Sequence, residues 1–189
     1  MMQAIKVLVP GLHTSFQDKG RTGYRDVGVP CSGPLDRISL RLANELVQNR
    51  PDTPALEMLM SGPSMEVMAE SARVALTGCH ASIEVSTAAG RRHSVPAGES
   101  TRLLRGDVFK ISTSGDSLSA YLAFEGGVAM PRILGSASTY VRGGFGGHQG
   151  RRLQAKDVLP LRLPNVADEG ESRLSAAQDL GLDQRIRVV

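Results

Sequence analysis

From Pro54 to Glu125 the chain offers apolar runs of four to seven residues, separated by Gly, Pro and Ser punctuation. Pieces that short are strands, and turns at intervals of about ten residues mark an antiparallel sandwich or barrel. The runs are Ala55–Met60, Ser64–Met68, Arg73–Thr77, Ser82–Ser86, Ser100–Leu104, Val108–Ser112 and Leu118–Phe124. Several alternate cleanly: in Ser82-Ile83-Glu84-Val85-Ser86 the odd positions are apolar and the others face water. Ile5–Val9 adds a strand in front and Arg151–Leu163 one behind. With this many strands in one domain, a closed antiparallel β-barrel is favoured, because closure removes exposed edges.

One helix interrupts the pattern, near residues 34–48. Pro34 suits a first helical turn, Asp36 sits near the positive end of the dipole, and Ser32 reads as the capping residue. Ile38, Leu42 and Leu46, with Ala43 and Val47, draw one apolar stripe. A dense polar and glycine loop from Thr14 leads into it. Core segments do not spend residues this way, whereas loops that position chemistry do.

The totals exclude several functions. A net charge of +3, with arginines as scattered pairs rather than a stripe, argues against nucleic-acid binding. Aromatic residues make up 4% with no Trp, so no stacking platform is suggested. Cys31 and Cys79 lack CxxC spacing and fit a reduced protein. The start MMQAIKVLVP is too short an apolar run for a signal peptide, and nothing later is long enough to span a bilayer. A cytoplasmic protein without membrane contact is expected. His13, His80, His93 and His148 have no ligand-like spacing, so no metal is expected. There is no P-loop and no Gly-x-Ser-x-Gly elbow.

Chemistry-bearing residues gather in three places. Gln17, Asp18, Arg21 and Tyr24 put an amide, a carboxylate, a guanidinium and a phenol near one turn. Such a set holds a small polar substrate, or else Asp18 and Arg21 pair with each other and pin the loop. Ser32 and Asp36 lie where a helix start offers free N–H groups to an anion, or where ordinary capping needs them. Asn44 and Asn49 are loop-fastening amides or a C-terminal stop, and Asn44 is also a candidate substrate contact. The Gly143–Gly150 segment either wraps a ligand closely or forms a mobile lid. Ser136, Ser138, Thr139, Gly146, Gly147 and Arg151 are its candidate contacts. Asp18, Asp36 and Glu57 are the candidate catalytic carboxylates. Glu57 follows an apolar residue in a strand, so it needs a buried partner such as an Arg. Cys31 reads as a partly buried small residue.

The pattern T-x-x-Q-D-x-G-R-x-G-Y, then G-V-P-x-S-G-x-x-D, then L-A-N-x-L-V-x-N, resembles the opening of the allophanate hydrolase subunit 2 family. This family is also known as the biotin-dependent carboxyltransferase or KipI-antagonist family and includes the C subunit of 5-oxoprolinase. Leu56-Glu57, Gly62-Pro63, Leu76-Thr77-Gly78, Leu122–Gly127, Leu134–Thr139 and Gly146–Arg151 are similar to later blocks of the family, in order. The resemblance implies a cyclophilin-like barrel over residues 1–163. The polar, acidic tail over residues 164–189 reads as a linker with a short helix around Ser172–Leu180 and a strand starting at Arg185–Val189, and the resemblance implies that a second half begins there. It implies an enzyme subunit, a hydrolase acting on C–N bonds of cyclic amides in an ATP-dependent amide- or lactam-opening system, with a subunit 1 or KipI-like partner. Two alternatives come with it: a non-catalytic regulator that binds a kinase inhibitor, or a biotin-dependent carboxyltransferase domain of the urea-carboxylase type.

Overall fold

The computed structural model describes residues 3–78, 80–113 and 118–175. Among these residues, eleven strands form two antiparallel sheets and one α-helix packs on the outer face of the second. The six-stranded sheet has β1 (Ala4–Val9) beside β4 (Ser64–Val67), then β9 (Val108–Thr113), β6 (Ala81–Ser86) and β7 (Arg92–Pro96), with β11 (Val158–Pro160) on the other side of β1. The five-stranded sheet runs β2 (His13–Gln17), β3 (Ala55–Leu59), β10 (Ser119–Phe124), β5 (Ser71–Thr77), β8 (Ser100–Leu104). Among the described residues no ladder joins the two sheets into a closed ring.

Their facing sides make the core. Ile5, Val7, Met65, Val67, Ile83, Val85, Phe109 and Ile111 come from one sheet, and Phe16, Leu56, Met58, Val74, Leu76, Leu103, Leu122 and Phe124 from the other. The six-stranded sheet turns its second face to water, and its strands alternate accordingly. The five-stranded sheet buries both faces, so every residue of β5 is buried and alternation vanishes. Helix α1 (Arg37–Leu46) covers the second face. Leu40, Ala43, Leu46 and Val47 lie on Ala55, Ala75, Tyr121 and Ala123, where the alanines let the helix approach closely.

Several expectations need correction. The helix begins at Arg37, not Pro34, and its cap is Asp36, whose carboxylate accepts from the Ile38 and Ser39 N–H groups; Ser32 is not the cap. The buried stripe keeps Ala43, Leu46 and Val47 as expected but takes in Leu40 in place of Ile38, which is 65% exposed. Two strands are hidden in polar sequence. β2 has the composition of a loop because Thr14, Ser15 and Gln17 are polar, yet all are buried and bonded; β7 is an exposed strand without an apolar rhythm. Of Arg151–Leu163 only Val158–Pro160 is strand.

The edges of the five-stranded sheet are covered. The Thr139 and Leu153 N–H groups donate to the Phe16 and Thr14 carbonyls along β2. Along β8, the Ser100 N–H donates to the Ser172 carbonyl, and the Leu174 N–H to the Gly98 carbonyl. Residues 164–175 thus strap onto the sheet, held also by the Arg73 guanidinium, which donates to the Ala167 and Glu169 carbonyls and pairs with Glu125. Ser172–Ser175 are not helical; the rest of the expected tail helix and the Arg185–Val189 strand lie outside the described residues. Among the described residues no helix is long and apolar enough to cross a membrane.

Candidate functional site

β2 carries Gln17 and Asp18 to the end of the five-stranded sheet, and the chain turns back at Gly20. This turn requires glycine. Gly20 has φ +85°, and a Cβ there would collide with the Cys31 and Ser32 carbonyls. Residues 18–21 and 31–33 therefore lie against each other, the Arg21 N–H donating to the Cys31 carbonyl at 2.8 Å. Gln17 adds a second tie: its Oε1 accepts from the Gly33 N–H at 3.2 Å and its Nε2 donates to Ser15 Oγ at 3.1 Å.

Asp18 is the hub of this arrangement. Its fully buried carboxylate accepts from Ser136 Oγ at 2.5 Å, Ser138 Oγ at 2.7 Å, the Ala137 N–H at 2.7 Å and the Gly20 N–H at 2.9 Å. Arg132 Nη1 stands 3.4 Å away. Burial alone would push the acid upward. The Ser136 hydroxyl, Ala137 N–H, Ser138 hydroxyl and Gly20 N–H outweigh it and hold Asp18 below the ordinary carboxylate range.

Arg21 is buried beside it. Nη1 donates to Ser32 Oγ at 2.9 Å and Nη2 to the Ser138 carbonyl at 2.5 Å, while the guanidinium lies 5.0 Å from the Phe145 ring centre. Its Nε has no partner among the described residues. Asp18 and Arg21 share no direct bond; both grip Ser138, one at the hydroxyl and the other at the carbonyl. Gly146 and Gly147 complete the knot, since a Cβ would strike the Ser138 carbonyl at the first and the Thr139 hydroxyl at the second. Thr139 Oγ1 donates to the Phe16 carbonyl at 3.0 Å. Residues 120 positions apart in sequence are thus locked together.

Glu57 belongs to a neighbouring network. Ser15, Glu57, Tyr121 and Thr77 stand side by side across four strands, beneath the start of α1. Glu57 accepts from the Tyr121 hydroxyl at 2.7 Å and the Leu35 N–H at 2.8 Å, and the Asp36 N–H donates to the Tyr121 oxygen at 2.8 Å. The partner expected to be an arginine is a tyrosine. Burial, with Glu57 alongside, pushes the Tyr121 phenol well above its usual value.

The other expected residues separate. Asn44 bonds the Leu40 and Thr53 carbonyls and accepts from Asn49, so it fastens the helix end. Arg151 forks onto Asp157, 2.8 Å at each nitrogen, and Nη2 reaches Gln149. Tyr24 lends its carbonyl to the Val29 N–H and is half-buried. Sequence reasoning missed Tyr121, Arg132 and Phe145. Tyr121 carried a signal, because a buried Glu57 must find a donor and the chain has only three tyrosines.

The glycine segment is not a phosphate cradle. The Gly143, Gly144, Phe145, Gly147 and Gly150 N–H groups all donate to carbonyls of the chain itself. ATP does not fit these residues. The outer limb of the first loop is different in kind. From Thr22 it swings into solvent, closed by the Val29 N–H to Tyr24 carbonyl bond at 3.0 Å. Between this limb and the start of α1 opens a hollow of about 570 Å³, lined by Thr22, Gly23, Arg25, Asp26, Cys31 and Arg37.

A family model, the carboxyltransferase domain, subdomains A and B, matches residues 27–189. The chain belongs to the carboxyltransferase domain family. Urea amidolyase of Saccharomyces cerevisiae is 42% identical over 159 residues, which is 84% of this chain and 8% of that protein. The C subunit of Escherichia coli 5-oxoprolinase is 33% identical over 183 residues, 95% of this chain and 54% of that protein. Among solved structures, Kluyveromyces lactis urea carboxylase superposes with a TM-score of 0.80 at 37% identity, over 88% of this chain and 14% of its own. TTHA0988 does so with a TM-score of 0.81 at 32% identity, over 93% and 34%. The carboxyltransferase domain seen here thus spans less than a tenth of the yeast amidolyase and about half of the bacterial protein.

Proposed function

We propose that this carboxyltransferase domain works in an amide- or lactam-opening enzyme of the 5-oxoprolinase type, together with a subunit 1 or KipI-like partner. The observation that carries the reading is one loop doing two things. Its inner part is anchored by the Asp18 and Arg21 knot, while its outer limb, Thr22 to Cys31, walls an open hollow at the start of α1. A buried knot holding a solvent-facing wall is what substrate positioning requires. Gln17, Asp18 and Arg21 themselves do not line the hollow; they support it. Asp36 and Glu57, capping the helix and fixing its lead-in, support the opposite wall. In this reading any use of ATP belongs to another part of the assembly. The fold that accompanies this reading is a cyclophilin-like barrel, supported by the single core shared between the two sheets.

A second reading is supported by the 42% identity to urea amidolyase: a carboxyltransferase domain of the urea-carboxylase type, using biotin. Mixing the chain with a subunit 1 partner separates them. Light scattering reports the complex, and turnover is followed with ATP and 5-oxoproline, then with carboxybiotin and urea. A stable hetero-oligomer with lactam-dependent ATP hydrolysis is expected. Carboxylation of urea without lactam turnover would replace the first reading by the second. Association without either turnover would make the protein a binding regulator.

A further inference from the structure

We infer that the free edge of β7 is a docking site for an extended acidic segment of a partner protein, which joins the six-stranded sheet as a further strand. The molecule covers its other sheet edges. Along β11, the Ala129 N–H donates to the Pro160 carbonyl and the Arg162 N–H to the Gly127 carbonyl. The Ser136–Leu153 region covers β2, and the 164–175 strap covers β8. Nothing among the described residues is bonded along the outer side of β7. The ladder with β6 fixes which backbone groups are left over. The Ala97 N–H donates to the Ala81 carbonyl and the Thr87 N–H to the Arg91 carbonyl, so in this antiparallel register Val95 and His93 also turn their groups to β6. The N–H groups of Arg92 and Ser94, and the carbonyls of Arg92, Ser94 and Pro96, therefore point outward, and all three residues are exposed. A row of outward backbone groups is what an added strand pairs with.

Charge selects the occupant. Arg91 and Arg92 are exposed at the start of this edge, and neither forms an ion pair among the described residues. No acid lies on β7 itself, and the neighbouring acids are engaged. Glu84 stands beside Lys110 on β9, and Asp107 accepts from the Ala88 and Leu104 N–H groups. The faces are also distinct. Val95 packs towards the core opposite Ile83, so Arg92, Ser94 and Pro96 share the outer face. An alternating strand would set acidic side chains beside Arg92 and apolar ones beside Val95. A second copy is a poorer occupant, because its own β7 brings two more arginines to the same short ladder and Pro96 offers no N–H. Cations and proline on an edge keep like copies apart, and the same cations favour an acidic strand.

The test titrates the whole chain into a labelled short peptide of alternating Val and Glu, read by fluorescence anisotropy, with amide hydrogen exchange to locate it. Two control peptides replace Glu by Lys, or carry N-methyl groups at the Glu residues and so keep the charge without the backbone donors. The Val-Glu peptide is expected to bind and to slow exchange at the Arg92 and Ser94 amides, and both controls to fail. The double variant Arg91→Gln, Arg92→Gln should weaken binding about fivefold. Ser94→Pro, which removes an outward N–H that no strand of the sheet uses, should weaken it as well. Melting temperatures are measured alongside, and the arginine variant and the exchange data decide the matter if Ser94→Pro does not fold. Equal binding of the N-methylated peptide would mean that charge alone attracts it and would overturn the inference. Equal binding of the Lys peptide, protection confined to other amides, unchanged affinity in the arginine variant, or no binding would each do the same. So would a dimer of the unliganded chain in light scattering that Ser94→Pro abolishes, since the edge would then belong to a second copy.

Discussion

At Asp18 one carboxylate collects two hydroxyl and two backbone donors while fully buried, and this decides what the residue can do. An acid so occupied has no lone pair to offer a substrate proton, so Asp18 is a positioning residue. Asp18→Asn puts an amide N–H₂ among four donors, and a loss of about 3 kcal/mol is expected, measured by urea unfolding at pH 7. The pH dependence follows from the direction of the shift. Asp18 is held below the unfolded value of about 3.9, so its contribution is complete above that pH and lost as pH falls through the lower folded value. The gap between wild type and Asp18→Asn should therefore stay constant from neutrality to about pH 5 and narrow below about pH 4. A gap that closed near pH 6 would show that the carboxyl is not held down in the folded protein.

On the scale of one element, helix α1 shows how a sheet selects the face of its cover. The period of the helix was legible, and with it the burial of Ala43, Leu46 and Val47, but not the choice of Leu40 over Ile38, because the two are equally apolar and only the alanine-lined sheet distinguishes them. Leu40→Ala should cost about 2–5 kcal/mol, whereas Ile38→Glu should stay within about 0.5 kcal/mol of wild type. Thermal unfolding of both variants checks this, and the reverse ranking would restore the stripe through Ile38, Leu42 and Leu46. The helix start was legible in kind but displaced: Pro34, Asp36 and the apolar run all announce it, and the Tyr121 and Glu57 bonds to the Asp36 and Leu35 N–H groups set where it begins.

For the molecule as a whole, the five-stranded sheet survives with both edges covered by distant segments. One cover is the Ser136–Leu153 region on β2, and the other is the 164–175 strap on β8. An uncovered edge is a template for association. Shortening the chain to end at Leu163 should speed hydrogen exchange at the Ser100 and Arg102 amides, which the strap accepts through Ser172 and Glu171, and should promote self-association. Unchanged exchange at both amides would show that the domain ends at 163, as the change in composition there suggests.

What the sequence by itself determined was local. Period-two runs made the strands, the helix period made α1, and a series of ordered motifs identified the family, because each depends on neighbours close along the chain. The candidate residues of the first loop were also legible as a set, since no core would spend Gln17, Asp18 and Arg21 together without cause. Their roles were not legible. Whether Asp18 faces a ligand or four internal donors depends on Ser136 and Ser138, and β2 is a strand only because partners far along the chain satisfy it. Burial with satisfied hydrogen bonds is a property of the assembled chain, and the tertiary structure alone decided which polar residues became supports and which, Arg25 and Arg37 among them, were left facing solvent.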